Sequence, residues 1–217
     1  MADLTIYIGN KNYSSWSLRG WLMVKQSGIE FDEVVIALDE PTTRETILRH
    51  SPSGAVPAIR HADRTVWDSL AIGEYLAELA PQAGLWPADP AIRALARCVS
   101  AEMHSGFAAM RQHFPMNMRS TFSDRFPTAA AQADINRIAA IWRDCRRRFG
   151  GTGQFLFGEF SIADAMYAPV CSRFRTYKIE MDEVGQAYCD AIWAHPPLQE
   201  WLQAARKEPM IIPSAEF

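Results

Sequence analysis

Leu4-Thr5-Ile6-Tyr7-Ile8, Gly9-Asn10-Lys11-Asn12 and Tyr13-Ser14-Ser15-Trp16-Ser17-Leu18-Arg19 form the continuous stretch from which the fold can be read. Leu4, Ile6 and Ile8 alternate with Thr5 and Tyr7, the period of two that marks a half-buried strand. Gly9 to Asn12 breaks that pattern as a loop. Downstream, Leu18, Trp21, Leu22 and Lys25 fall at helical spacing, and Gly28 is placed to stop the helix. The hydroxyls of Ser14 and Ser15 thus stand where a helix begins, beside unpaired backbone N–H groups and the positive end of a dipole. A thiolate or a carboxylate is welcome there. Serine is equally an ordinary N-cap residue. Two adjacent hydroxyls allow one to cap while the other faces a ligand, and spacing alone leaves open which does which.

Outward from this unit, Phe31 to Leu38 reads as a second strand, with Val34, Ile36 and Leu38 on one face and Val35 and Ala37 on the other. Two apolar faces predict a central, parallel strand, and the intervening helix then makes a right-handed crossover. Thr42 to His50 is weakly helical and is ended by Pro52 and Gly54. Val56 to Arg60 and Thr65 to Trp67 are short strands joined by Ala62-Asp63-Arg64, a hairpin. Leu70, Ile72, Gly73, Leu76 and Leu79 give an apolar helical face. The order β-α-β-α-β-β-α is the thioredoxin-like arrangement.

Pro81, Gly84, Pro87 and Pro90 then mark a linker over residues 81–90, and everything after it reads helical. Ile92 to Arg111 is one long amphipathic segment, broken near Pro115. Ile135, Ile138, Ala139, Trp142, Cys145 and Phe149 repeat at three- and four-residue steps. Further helices are expected at Ile162–Tyr177, at Val184–Ala194, and from Pro196-Pro197 to near Lys207. The predicted architecture is an α/β thioredoxin-like N-terminal domain (residues 1–80) followed by an all-α C-terminal domain (residues 91–217).

Composition narrows the partners. The chain has 217 residues, 48% hydrophobic and 22% charged, values ordinary for a globular protein. A net charge of −3 gives no basic footprint, so nucleic acid is not an expected partner. Arg146-Arg147-Arg148 suits the end of a helix, where cations meet the dipole. Cys98, Cys145, Cys171 and Cys189 show no paired spacing and no signal peptide precedes them, which predicts reduced thiols and a cytoplasmic location. The five histidines form no metal-binding spacing. No apolar run is long enough to span a membrane.

Four motifs together resemble the glutathione S-transferase family over nearly the whole chain. Ser14-Ser15-x-Ser17-x-Arg19 looks like the zeta-class signature. Ser51-Pro52-Ser53-Gly54-Ala55-Val56-Pro57-Ala58-Ile59 is similar to the family's stretch around a cis proline. Asp68-Ser69-Leu70-Ala71-Ile72 matches the motif that holds the γ-glutamyl end of glutathione. Ser161-Ile162-Ala163-Asp164 matches the capping box of the helical domain.

The resemblance implies that glutathione is the co-substrate, with no metal, and that Ser14 faces its sulfur. Ser15, Val56, Pro57, Asp68 and Ser69 are the implied glutathione-binding residues. Val56 N–H and C=O could pair with a peptide-like ligand as an added strand, provided that the bond before Pro57 is cis; an edge-strand proline with a trans bond is the other reading. The N–H groups after Asp68 and the Ser69 hydroxyl can take a carboxylate while Asp68 attracts an ammonium, or Asp68 is a plain N-cap. Ser161 and Asp164 are assigned to folding. The electrophile pocket should lie between the domains, with Trp16, His104, Phe107 and Arg111 as candidates; Met and Phe at helical spacing are more often core.

The chain also departs from the pattern. Trp16 stands where the zeta signature has cysteine, and Ala55 where many relatives have a glutathione-binding lysine. Arg44, Arg49 and His50 are then unranked candidates for the glycyl carboxylate, and Tyr7 is the runner-up for thiol activation. The function implied is transfer of glutathione to small hydrophobic electrophiles by a homodimer. A glutathione-dependent cis–trans isomerase of the maleylacetoacetate type and a non-catalytic glutathione-binding module are the alternatives.

Overall fold

The computed structural model describes residues 2–217. Strands β1 (Leu4–Ile8), β2 (Phe31–Val35), β3 (Ala58–His61) and β4 (Arg64–Trp67) form one mixed sheet in the order β2-β1-β3-β4. β1 runs parallel to β2 and antiparallel to β3, and β3 to β4 is an antiparallel hairpin. Helix α1 (Ser15–Ser27) and helix α3 (Ser69–Leu79) pack together on one face, and the short α2 (Thr43–Leu48) covers the other. Gly28 ends α1 with φ of 73°, a conformation that glycine adopts without steric cost. This is the thioredoxin-like domain read from the sequence.

The second strand differs from its expected place. It stops at Val35, not Leu38, and lies at the sheet edge, with Val34 and Val35 exposed. β1 and β3 are the strands flanked on both sides. Beyond Val35, Ile36 N–H still donates to Ile8 C=O (2.8 Å), but Leu38 N–H turns to the Asn10 side chain (2.7 Å), so the ladder ends. Two apolar faces did not mean two covered faces.

The helical half contains α4 (Pro90–Ser105), α5 (Ala108–His113), α6 (Ala129–Phe149), α7 (Ile162–Thr176), α8 (Glu183–Ala194) and α9 (Pro196–Lys207). The segment expected as one helix from Ile92 to Arg111 is two. Gly106 is extended and Phe107 left-handed (φ 57°), and this kink drives the Phe107 ring into the core. A free N–H at the start of α5, that of Met110, is then taken by the Asp134 carboxylate of α6 (2.9 Å). Helix α7 is the axis of this half: Arg175 is its one exposed residue. It packs against α1, α4 and α8, so the first helix of one domain lies on the central helix of the other.

Asp164 anchors that axis. It is fully buried and accepts from Leu156 N–H, Ser161 N–H, Ser161 Oγ–H and Tyr188 O–H at 2.9–3.1 Å. Burial still pushes its pKa up to about 6, against the pull of those donors. The folding role expected of the Ser161–Asp164 pair fits this geometry.

Candidate functional site

The site begins with the N-terminus of α1. Ser14 is its N-cap: Oγ accepts from Ser17 N–H (3.3 Å) and donates to Ser17 Oγ (2.8 Å), which in turn accepts from Gly9 N–H (2.9 Å). The capping hydroxyl is therefore that of Ser14. Ser15 is the first residue of the helix and half-buried. This turn sits deep because α1 approaches the loop before β3 closely: a Cβ on Gly20 would meet Pro57 Cγ at 2.8 Å.

That loop carries the second part. The Val56–Pro57 peptide bond is cis. β3 begins only at Ala58, and no hydrogen bond engages Val56 N–H or C=O among the described residues. A backbone donor and acceptor thus stand at a strand end, half-buried, beside Trp16.

The third part is the start of α3. Asp68 has φ of 74° and ψ of 134°, a region that costs a non-glycine residue of order 1–3 kcal/mol. Three contacts hold it there. Oδ1 accepts from Leu70 N–H (2.9 Å) and Ala71 N–H (3.4 Å), and Oδ2 meets His104 Nε2 of α4 at 2.6 Å. Of the donors expected at this helix start, two are taken by Asp68 itself; the Ser69 N–H and hydroxyl remain, the hydroxyl having only the Met166 sulfur at 4.0 Å.

Between these parts is a cavity of about 280 Å³ at the domain boundary. Trp16, Val56, Pro57, Asp68, Ser69 and His104 line it, all named from the sequence, and Trp67, Ser53 and Ala55 complete it. Ser14 and Ser15 precede Trp16 in the chain but do not line the cavity. Phe107 and Arg111 do not line it either. Phe107 is core, and Arg111 stands behind Trp16, its guanidinium 5.2 Å from the ring centre. Tyr7 lies in the small cluster under α2, its ring stacked on His50 at 4.2 Å, on the sheet face opposite α1.

The sequence reading missed Arg19 as an electrostatic element. It is fully buried, with Nε donating to Met166 C=O (3.1 Å) and its guanidinium 4.3 Å from the Trp16 ring centre. Neither Nη atom has a partner among the described residues. Burial, with Arg173 and Arg111 adding repulsion, lowers its pKa to about 9. Its place in the Ser14-to-Arg19 motif was visible; its burial was not, because that depends on α7 closing over it.

Among the described residues, no group of His, Cys, Asp or Glu is arranged to hold a metal, and no helix is long and apolar enough to cross a membrane. Comparison with known proteins agrees with the architecture. Residues 13–79 match the glutathione S-transferase N-terminal domain and residues 128–204 the C-terminal domain. The chain is 33% identical over 181 residues to a maleylacetoacetate isomerase of Mus musculus and 28% identical over 182 residues to that of Rattus norvegicus, covering 81% of this chain and 80% of each relative. A glutathione transferase homolog from Burkholderia, solved with bound glutathione, superposes with a TM-score of 0.72 at 25% identity, over 94% of this chain and 99% of that one. A theta class glutathione S-transferase from Xanthomonas axonopodis pv. citri has the same fold, with a TM-score of 0.69 at 22% identity over 93% of this chain and 98% of that one. By its sequence and its architecture, the chain belongs to the glutathione S-transferase family.

Proposed function

We propose that this protein binds glutathione in the interdomain cavity, activates its thiol at Ser14, and transfers it to small hydrophobic electrophiles. The observation that carries this is the convergence of three elements on one cavity: Trp16 in the first turn of α1 (two residues after Ser14), the unpaired Val56 backbone, and the Asp68-Ser69 turn. An extended tripeptide suits them in order. Val56 offers one donor and one acceptor to the peptide. The Ser69 N–H and hydroxyl suit a carboxylate at the N-terminus of α3, and Asp68 suits the ammonium beside it. Only the γ-glutamyl end of glutathione carries both charges on one carbon.

The thiol needs little help. Lowering its pKa by about two units takes roughly 2.7 kcal/mol of preference for the thiolate. One hydrogen bond to a charged acceptor contributes roughly 1.5–3 kcal/mol, and a helix N-terminus roughly 0.3–2. In this mechanism Ser14 Oγ–H turns from Ser17 Oγ to the sulfur, while Gly9 N–H still holds Ser17 in place. The thiolate then attacks the electrophile directly. With serine and no cysteine at this turn, the chain itself forms no mixed disulfide there. Titration of thiolate absorbance in the glutathione complex, wild type against Ser14→Ala, is the test; an unchanged titration removes Ser14 from the role.

A second reading has its own support in the two relatives that are maleylacetoacetate isomerases. Reversible addition of the same thiolate to a carbon–carbon double bond would make the protein a cis–trans isomerase. Turnover of a maleyl keto acid without turnover of an aryl halide would establish that reading over transfer. We further infer a homodimer in a reducing, cytoplasmic compartment. All four cysteines are free, and Trp67, Phe126 and Phe217 remain exposed while most other aromatics fill the core. Sedimentation at micromolar concentration decides the assembly.

A further inference from the structure

We propose that Glu208, which follows α9, is a positioning residue for thiol activation: its carboxylate fixes the backbone turn that delivers Ser14. The inference rests on the reading of Ser14 given above and adds what sets that hydroxyl in place.

In the turn before Ser14, the backbone of Lys11 and Asn12 is held by the other domain. Glu208 Oε1 accepts from Lys11 N–H (2.6 Å) and Oε2 from Asn12 N–H (2.9 Å), so one carboxylate spans two successive peptide groups. Lys11 C=O accepts from Trp201 Nε1–H of α9 (2.8 Å), and Asn12 C=O accepts from Met118 N–H (3.2 Å). All four backbone polar groups of Lys11 and Asn12 therefore find their partners in the helical half. The fully buried Asn12 side chain adds three more links: Oδ1 accepts from Met118 and Arg119 N–H, and Nδ2 donates to Asn117 Oδ1.

The segment from Glu208 to Glu216 is itself clamped to this turn. Arg119 donates to Glu208 C=O (2.6 Å), to Met210 C=O (3.0 Å) and to the Tyr13 hydroxyl (2.8 Å). Tyr13, next to Ser14, donates to Glu216 Oε1, and Asn117 donates to Ala215 C=O (3.1 Å). Within the turn, Tyr13 and Ser14 N–H both return to Asn10 C=O, at 3.2 and 2.8 Å. Hence a movement of Lys11 or Asn12 is passed to Ser14 through Tyr13 alone, whose hydroxyl is itself tied to Arg119 and Glu216. A hydroxyl that must meet a sulfur atom at hydrogen-bond distance is sensitive to displacements well below 1 Å. Such a network also glues two domains together, and the experiment separates the two roles.

Glu208→Gln turns an NH₂ group toward a peptide N–H and breaks one of the paired bonds. Thiolate absorbance is titrated in glutathione-saturated wild type, Glu208→Gln, Ser14→Ala and the double variant. The expected result is a rise of the bound thiol's pKa by about 0.5–1 unit in Glu208→Gln, from a weakened bond to the sulfur. Turnover at neutral pH should fall about 1.5- to 3-fold with the thiolate fraction, while the KM for glutathione changes less than about twofold. In the Ser14→Ala background Glu208→Gln should add no further shift, because it acts through that hydroxyl. A lower melting temperature with an unchanged titration overturns the proposal and leaves Glu208 as domain glue. An equal shift in both backgrounds also overturns it. Should Ser14→Ala itself leave the titration unmoved, the reading of Ser14 fails first, and that single variant identifies it. If Glu208→Gln does not fold, Glu216→Gln, which loosens the Tyr13 link together with longer contacts to Ser120 (3.3 Å) and Arg119 (4.0 Å), carries the same expectations at smaller size.

Discussion

The Asp68 carboxylate of the α/β domain and the His104 imidazole of the helical domain meet at 2.6 Å across the cavity mouth. Asp68 holds its unfavourable backbone geometry through this contact and through its cap on α3. Its charge and its capping oxygen can be separated by mutation. Asparagine caps a helix about as well as aspartate and tolerates positive φ. Asp68→Asn should therefore keep the melting temperature within a few degrees while weakening glutathione binding about tenfold, from loss of the partner for the γ-glutamyl ammonium. Calorimetric titration with glutathione and with a des-amino analogue checks this. If both ligands lose equally, Asp68 does not meet the ammonium.

Trp16 forms one wall of the cavity and covers two guanidinium groups, those of Arg19 and Arg111, with His104 at its edge. Trp16→Ala should raise the KM for the electrophile at least about fivefold and leave glutathione affinity within about twofold, since an aromatic wall supplies contact area and not a specific bond. It should also favour negatively charged electrophiles, because it uncovers Arg19, whose two Nη atoms have no partner among the described residues. Comparing a neutral with a carboxylate-bearing aryl halide tests both. An unchanged electrophile KM would place that substrate away from Trp16.

Asp164 tests the division between folding and binding. Asp164→Ala strips the acceptor from four buried donors, a loss of about 3–5 kcal/mol on the scale of a broken buried charge network. The protein that survives should bind glutathione normally, because the capping box lies in the helical domain. The pH dependence has a definite sign. With its pKa raised from 3.8 to about 6, the folded state holds the Asp164 proton more tightly than the unfolded chain does. Its contribution to stability is thus full below about pH 4 and is lost as the pH rises through about 6. Denaturant titrations from pH 4 to 7, wild type against Asp164→Asn, should show this slope in the wild type alone. A stable Asp164→Ala protein with weakened glutathione binding would make Asp164 a site residue.

The regular elements and the cavity wall were legible in the sequence because both depend on local chemistry. Hydrophobic period placed β1, α1, α3 and the late helices, and glycine and proline placed their ends. Asp68-Ser69 at a helix start and Val56-Pro57 at a strand end also declare their free backbone groups locally. Three things were not local. The edge position of β2 depends on which strands flank β1, and Val34 and Val35 read the same in a central strand. The break at Phe107 depends on a core large enough to draw that ring inward. The Glu208 link joins residues almost 200 positions apart, and nothing in the sequence around either end announces the other.

Ser14 carries the decisive test, and the structure changes what it should show. Its hydroxyl is the N-cap of α1 and, in the proposed mechanism, the group that meets the thiolate. Ser14→Ala should then have two effects. Loss of the cap should cost about 0.5–2 kcal/mol of stability, and loss of a charge-assisted hydrogen bond should raise the bound thiol's pKa by roughly one to two units. Glutathione affinity should change less, with Val56 and the Asp68-Ser69 turn still in place. Turnover at neutral pH should drop with the thiolate fraction and partly recover at higher pH. Ser15→Ala, one residue inside the helix, should leave stability nearly untouched. Tyr7→Phe should leave the titration untouched, because that ring lies under α2 on the other face of the sheet. Thiolate absorbance across pH, with each variant saturated in glutathione, distinguishes them. A shift in Tyr7→Phe without one in Ser14→Ala would make tyrosine the activating group and leave Ser14 a helix cap alone.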